Sequence, residues 1–450
     1  MRALSEPSPS PRAASLATQV KPLISSTQIH REGSWVIGGQ ILAAFAILAS
    51  LRVWSEYLRP DEVGLMGLIV GAASMMVGFV SGPVSQAVLV TYAAYFRDGL
   101  THEHRAVSWG MTNRVSTIAA LVLVVAGLPL SFILSVHWLT PFLIAALFLV
   151  DVRRSFEVVL LIAARRQKQV ALITAGDAWF RLMFLWAFLH LTQTSTYVAV
   201  AAYVFSAVAF LAVMRFLLKR DAYPPAAQMT PEVRADLSRA LSRISRPLFP
   251  AFVLANITQM GSRYLVGGML GMSAAGFFVV ADGLARRPFG MLSGMIDWTL
   301  KPLLSSAIAN GDPLRATLIR RLWLIAGGGI ALLGVVLFYF LGDFVGSLLL
   351  TEEYAASYVL LFPLACAMMI SNLSQAFLAF TVCTGRTGPV FVTNAIGCVA
   401  TVGFVAIGGH TYGLTGVVTG MIGGAIVQLS VAIVSWHRYG QTRAGFDVAD

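Results

Sequence analysis

Residues 63–95 read VGLMGLIVGAASMMVGFVSGPVSQAVLVTYAAY, a run without a single charged side chain. A helix needs ~20 apolar residues to cross the hydrocarbon core of a bilayer, and this run exceeds that length. Charges close it on both sides, with Arg59, Asp61 and Glu62 before it and Arg97 and Asp98 after it. Outward from this run, long apolar stretches alternate with short polar joints along the rest of the chain. Candidate spans in the first half are 35–57, 63–95, 114–134, 138–162, 169–190 and 196–217. In the second half they are 248–271, 275–304, 321–342, 355–383, 388–408 and 413–436. The fold class expected is therefore an all-α integral membrane protein with about 12 transmembrane helices. Pro83 and Pro288 predict kinks in the two longest spans, because proline removes an intrahelical hydrogen bond.

Composition agrees with this reading. Hydrophobic residues make up 57% of the chain, charged residues only 12%, and the mean hydropathy is +0.76. A soluble domain carries roughly 25% charged residues, so much of this surface must face lipid. The net charge of +11 does not point to nucleic acid, because the cations sit in the joints between apolar runs. With the N-terminus placed in the cytoplasm, 23 of the 32 Lys and Arg fall in inner segments and one, Arg59, in an outer joint. Lys and Arg resist crossing the membrane, so an even number of spans with both termini cytoplasmic follows.

The longest polar interruption divides the chain. The expected organisation is a disordered tail over 1–33, a six-helix bundle over 34–217, a basic linker over 218–247, a second six-helix bundle over 248–437 and a tail over 438–450. Within the linker, Thr230, Pro231 and Glu232 supply an N-cap, a first-turn proline and a first-turn acid. Val233, Leu237, Leu241 and Ile244 then share one face, with Arg239, Arg243 and Arg246 on another. That pattern predicts a basic amphipathic helix lying on the inner leaflet, in contact with membrane lipids. The halves also read as a degenerate parallel repeat, in which Arg52 precedes Gly64 and Arg263 precedes Gly276 across an outer joint.

Ionisable residues inside spans carry the functional signal, since each costs roughly 2.5–3.5 kcal/mol near a span centre. The spans hold Arg52 and Glu56; Asp151, Arg153, Arg154 and Glu157; Asp177 and Arg181; Arg263; Asp282, Arg286 and Arg287; and Asp297 with Lys301. Asp177/Arg181, Asp282/Arg286 and Asp297/Lys301 are acid-then-base pairs at i,i+4, the favourable helical order. Arg52/Glu56 and Arg153/Glu157 have the same spacing reversed. Arg154, Arg263 and Arg287 have no acid at that spacing. Excess arginine around a cavity suits an anionic substrate, phosphate above all, which the guanidinium fork binds bidentately. His102, Glu103 and His104 lack the spacing of a zinc site, no phosphate loop or nucleophile elbow is present, and no cofactor is expected. Cys366, Cys383 and Cys398 read as free thiols in apolar stretches.

The first joint, Tyr57-Leu-Arg-Pro-Asp-Glu-Val-Gly64, is similar to an L-x-P-x-x-Y/F-G turn. Arg263-Tyr-Leu followed by Ala275-Gly-Phe-Phe278 looks like a D-R-x-x-L…G-x-Y pattern. Together with two six-span halves, these motifs resemble the bacterial polysaccharide-repeat-unit flippases of the multidrug/oligosaccharidyl-lipid/polysaccharide exporter superfamily. The resemblance covers residues from about 34 to 437. It implies a non-enzymatic transporter in the bacterial inner membrane that moves an undecaprenyl-diphosphate-linked anionic oligosaccharide between leaflets by alternating access. Polysaccharide polymerase and glycosyltransferases would be its working partners. Carried over by position, Arg52, Arg263, Arg286, Arg287 and Arg154 would bind substrate, and Asp282 and Asp177 would couple to protons or sodium. The competing readings are a multidrug exporter or peptidoglycan-precursor flippase of the same superfamily, or a membrane polysaccharide polymerase or glycosyltransferase.

Overall fold

The computed structural model describes residues 27–97, 99–133, 136–218, 229–309, 312–383 and 387–440. Most of the expected N-terminal tail, residues 219–228 of the linker and the last ten residues lie outside them. The described residues are helical almost throughout. The first half comprises α1 (Thr27–Tyr57), α2 (Pro60–Arg97), α3 (Thr101–Ile133), α4 (Thr140–Ala163), α5 (Gln167–Leu191) and α6 (Thr196–Leu218). The second half comprises α7 (Pro231–Leu270), α8 (Met272–Ala309), α9 (Pro313–Leu349), a 3-10 segment (Glu352–Leu360) and α10 (Leu361–Cys383), and then a helical stretch Gly388–Gly440. Gly413, at φ 61°, breaks that last stretch into α11 (388–412) and α12 (414–440). Glycine enters this left-handed region without a Cβ penalty. The expected span count therefore stands, with twelve α-helices in two sets of six among the described residues.

Eight stretches among the described residues are long and apolar enough to cross a membrane by composition alone. The helices that miss this criterion are α4, α7 and α8, and they carry most of the intramembrane charge. The exceptions to the apolar rule are thus three of the helices that build the site.

Helices α2 and α8 hold Pro83 and Pro288 within their length. Two expectations change. The first helix begins at Thr27, eight residues ahead of the apolar run, because a helix outside the bilayer needs no apolar side chains. The basic segment after Thr230 is not a separate surface helix. Thr230 does cap it, its hydroxyl accepting from the Val233 amide at 3.4 Å, but the helix continues through Pro247 and Pro250 to Leu270. Leu237 and Leu241 are buried, and Leu241 packs among Val84, Val88, Phe156 and Leu160. The apolar face that would have met lipid is spent on α2 and α4, while Arg234, Arg239, Arg243 and Arg246 remain exposed.

Helix α2 is the seam between the halves, packing on α4 in its own half and on α7 and α8 in the other. The repeat-related glycines, Gly64 and Gly276, meet at the end of α2 that the expected topology places outside, called outer below. A Cβ on Gly276 would overlap the Pro60 carbonyl oxygen, and one on Gly64 would overlap the Met272 carbonyl oxygen. Tyr264 reinforces the seam by donating to the Leu68 carbonyl at 2.9 Å. The 3-10 segment ties down the outer face. Thr351 donates to the Ser55 carbonyl at 3.0 Å, Tyr354 to that of Leu58 at 2.8 Å and Ser357 to that of Phe277 at 3.1 Å. Gly276→Val should therefore force α2 and α8 apart and lower stability by about 1–3 kcal/mol, the usual penalty of overpacking. Gly268→Val is the control, since nothing lies within 4 Å of a Cβ there. Thermal unfolding of the two variants in detergent compares them, and equal melting temperatures would contradict the seam.

Candidate functional site

The charged residues gather by depth. Asp151 lies 11 residues from the outer end of α4, Arg181 ten from that of α5 and Asp282 ten from that of α8. Arg154, Asp177 and Arg286 each lie one turn deeper. At 1.5 Å per residue, these positions fall roughly 15–21 Å from the outer helix ends, close to the middle of a ~30 Å hydrocarbon layer.

In the first half four side chains from α4 and α5 close a ring. Arg154 donates to Asp177 at 2.5 Å and lies 3.5 Å from Asp151. Arg181 donates to Asp151 at 2.5 Å and to Asp177 at 3.1 Å. Two guanidiniums face two carboxylates, so the ring is neutral. The Asp177 Oδ1 atom is buried and has no hydrogen-bond partner among the described residues. The guanidinium of Arg181 also lies over the ring of Tyr203 on α6, 5.6 Å from its centroid.

In the second half the arrangement is positive. Asp282, 1% exposed, accepts from Arg263 at 2.6 and 3.2 Å. It also accepts from Arg286 at 2.8 and 3.2 Å, and both of its oxygens are engaged. Arg286 adds a bond to the Gln259 carbonyl at 3.0 Å. One carboxylate holds two guanidiniums. Arg287, the next residue on α8, makes no hydrogen bond or ion pair with the described residues. Its Coulombic neighbours come from both halves: Tyr203 and Arg181 from the first, Arg263 and Asp282 from the second. Yet Arg287 is exposed. Arg287 therefore lies where the charge groups of the two halves approach each other. Around it five arginines (Arg154, Arg181, Arg263, Arg286, Arg287) face three aspartates (Asp151, Asp177, Asp282), an excess of two positive charges.

The positions singled out in the sequence divide accordingly. Arg154, Asp177, Arg263, Asp282, Arg286 and Arg287 are brought together in this layer. Arg52 is not. It sits five residues from the outer end of α1 and bonds to Glu56 at 2.7 Å, with the two side chains 41% and 44% exposed. Arg154 and Arg263, which lack an acid at i,i+4, find carboxylates on other helices, whereas Arg287 and Arg153, whose Nε is buried without a partner among the described residues, do not. Glu157 pairs with Arg105 of α3 at 2.7 Å instead of with Arg153, and Lys301 reaches Gln86 of α2 at 2.8 Å. Asp151 and Arg181, named among the charges inside the spans but not among the binding or coupling candidates, also belong to the site, as does Tyr203, which the sequence did not point to. The i,i+4 pairing of Asp177 with Arg181 was the available signal for the second. His104 bonds to Thr91 at 2.8 Å.

The sequence model of the polysaccharide biosynthesis protein family matches residues 55–359, a stretch that contains this whole layer. The chain belongs to that family. No curated protein sequence matches this polysaccharide biosynthesis protein significantly. Among solved structures it is similar to a mutant of the Vibrio cholerae MATE transporter VcmN, with 13% identity over 92% of this chain and 98% of that one and a TM-score of 0.67. A multidrug resistance MATE family transporter in its outward-facing conformation gives 14% identity, coverage of 91% and 95%, and a TM-score of 0.68. A MOP superfamily transporter from Pyrococcus furiosus, described as having a binding pocket of reverse polarity, gives 15%, 91% and 94%, and 0.67. At these identities the likeness establishes the fold. The polysaccharide biosynthesis protein has the two-lobed architecture of the MATE transporters.

Proposed function

We propose that this polysaccharide biosynthesis protein is a transporter that flips a lipid-linked oligosaccharide, carried on undecaprenyl diphosphate, across the bacterial inner membrane by alternating access. The observation that carries this reading is Arg287, an accessible and unpaired guanidinium in a mid-membrane layer with two excess positive charges. A diphosphate is the lipid-borne group that such a layer suits, because guanidinium and phosphate match in geometry as well as charge. The sugars would occupy a central chamber while the polyprenyl tail stays in lipid between the halves.

The residues take different parts. Arg287 contacts the phosphate directly, and Arg263 and Arg286 share it once their grip on Asp282 loosens. Arg154 sits in the neutral ring and acts on the cargo only when that ring opens. Arg52 guards the outer mouth with Glu56. Of the two coupling candidates, Asp177 is the better placed to accept a proton, since its Oδ1 is bare, whereas both oxygens of Asp282 are taken. The related fold of MATE exporters raises a second reading, export of cationic drugs. The excess of arginine disfavours it, since a cation entering the layer meets net positive charge.

Deleting the gene in its host should leave lipid-linked oligosaccharide on the inner leaflet while glycosyltransferases and polymerase remain active. Restoring the wild-type protein should clear it. Normal glycan export after deletion, accompanied by sensitivity to cationic dyes, would replace the flippase with a drug exporter.

A further inference from the structure

At the end of the second half that the expected topology places inside stands an arginine outside the charge layer. Arg320 is the last residue before the apolar run 321–342, Phe380 lies in the last turn of the run 355–383, and Trp436 closes the run 413–436. Helices α9, α10 and α12 thus bring a cation and two rings to the depth where apolar sequence ends. Indole rings favour that depth, where hydrocarbon gives way to head groups.

Packing fixes this corner. Beside Arg320 on α9, Ile319 and Trp323 are buried with Leu304 of α8, and Phe380 packs against the same cluster. Trp436 lies against Phe377, with ring centroids 5.8 Å apart. The Arg320 guanidinium lies 4.7 Å from the Trp436 ring centroid and 5.4 Å from that of Phe380, so cation–π attraction to two helices holds it in place. The rings do not neutralise it. Arg320 makes no hydrogen bond or ion pair with the described residues, and its charged neighbour is another arginine, the exposed Arg321. Asp312, at the start of α9, is engaged as the helix cap and accepts from the Arg315 amide at 3.0 Å. Of the three guanidinium nitrogens of Arg320, Nε alone is closed off without a partner, and Nη1 and Nη2 keep accessible surface. Below Arg321 the same face of α9 continues as an exposed apolar stripe of Ile325, Leu332 and Val336.

We propose that this corner binds the phosphate of an anionic phospholipid head group in the inner leaflet. The two open η nitrogens match two phosphate oxygens, and the rings hold them at head-group depth. Arg321 adds the second charge that favours a lipid with net negative charge over a zwitterionic one. The stripe on α9 receives an acyl chain, which is why the ligand is a lipid and not a free phosphate. A bound lipid neutralises Arg320 and ties α9 to α10 and α12 at their inner ends. The site belongs to the second half and stands whatever cargo the protein moves.

Thermal unfolding of the purified full chain, stripped of lipid in a non-ionic detergent, tests it with phosphatidylglycerol, phosphatidylcholine and inorganic phosphate. Phosphatidylglycerol should raise the melting temperature saturably, phosphatidylcholine much less, and inorganic phosphate not at all. Arg320→Gln should weaken the apparent affinity for phosphatidylglycerol roughly tenfold or more, the loss of hydrogen bonds to a charged group. Arg234→Gln removes an exposed cation from the start of α7 and should respond as the wild type does. Equal rises with the two lipids would overturn the site, as would an Arg320→Gln response equal to that of the wild type. A rise with inorganic phosphate as large as with lipid would make the ligand a soluble anion and overturn the lipid. An Arg234→Gln response as weak as that of Arg320→Gln would reduce the effect to overall charge and overturn it too. Should Arg320→Gln fail to fold, electron cryo-microscopy of the wild type in phosphatidylglycerol nanodiscs decides: head-group density on Arg320 supports the site, and its absence there refutes it.

Discussion

Arg287→Ala should lower transport about tenfold to a hundredfold while leaving the protein as stable as the wild type, or more stable. The two halves of this expectation come from the same fact. Arg287 has no carboxylate partner among the described residues, so its removal orphans nothing and relieves an unpaired charge at mid-membrane depth, which is itself unfavourable by roughly 2.5–3.5 kcal/mol. Its accessible guanidinium is nevertheless the group open to an incoming phosphate, and a hydrogen bond to a charged group contributes about 1.5–3 kcal/mol. Arg287→Lys should recover part of the transport, since lysine keeps the charge and loses the fork. Transport in membrane vesicles at matched protein levels, paired with melting temperatures, checks both halves. A variant that transports normally would remove Arg287 from the binding site. One that loses transport only by unfolding would make its role structural.

Asp282→Ala should do the reverse and damage the fold first. Its carboxylate is buried and accepts from both Arg263 and Arg286, so alanine leaves two guanidiniums uncompensated in a low-dielectric layer. Breaking a buried pair from one side is unfavourable by about 3–5 kcal/mol. Loss of most folded protein from the membrane is the expected outcome. Combining Asp282→Ala with Arg263→Leu removes one of the stranded cations and should restore a measurable part of the folded fraction. Size-exclusion profiles of the single and double variants make the comparison. A double variant no better than the single would show that the two residues do not act as a pair.

Much of this architecture is legible in the sequence, and the division is physical. Span number follows from apolar length, a property of short windows. The pairs Arg52/Glu56, Asp177/Arg181 and Asp282/Arg286 follow from helical spacing for the same reason. Partners across helices do not. Arg263 meets Asp282, Arg154 meets Asp177 and Arg105 meets Glu157 because of tertiary packing, and no local pattern encodes those meetings. The sequence therefore makes the layer look richer in free arginine than it is, and among the described residues the folded chain reduces the free set to Arg153 and Arg287. The segment after Thr230 misleads in another way. The linker was expected to end at Pro247, but Leu237, Leu241 and Leu248 are buried on both sides of that boundary, Leu241 against α2 and α4, and the helix continues.

The shared depth of the two charge groups was partly visible. Arg263 lies seven residues from the end of its helix and the other charged residues ten to fifteen from theirs, and the joints are readable from the sequence. What was missing was the sign of each group. A neutral ring in one half and a positive group in the other can be told apart only once the ion pairs are known.

The account turns on an accessible, net positive layer that selects a lipid diphosphate. Binding of polyprenyl diphosphate, of the uncharged polyprenol and of a lipophilic cation to the purified protein in nanodiscs tests this most directly. The diphosphate should bind well, weaken as salt rises and lose at least tenfold in affinity in Arg287→Ala, while the other two bind poorly. Equal binding of diphosphate and polyprenol, or preference for the cation, would contradict it.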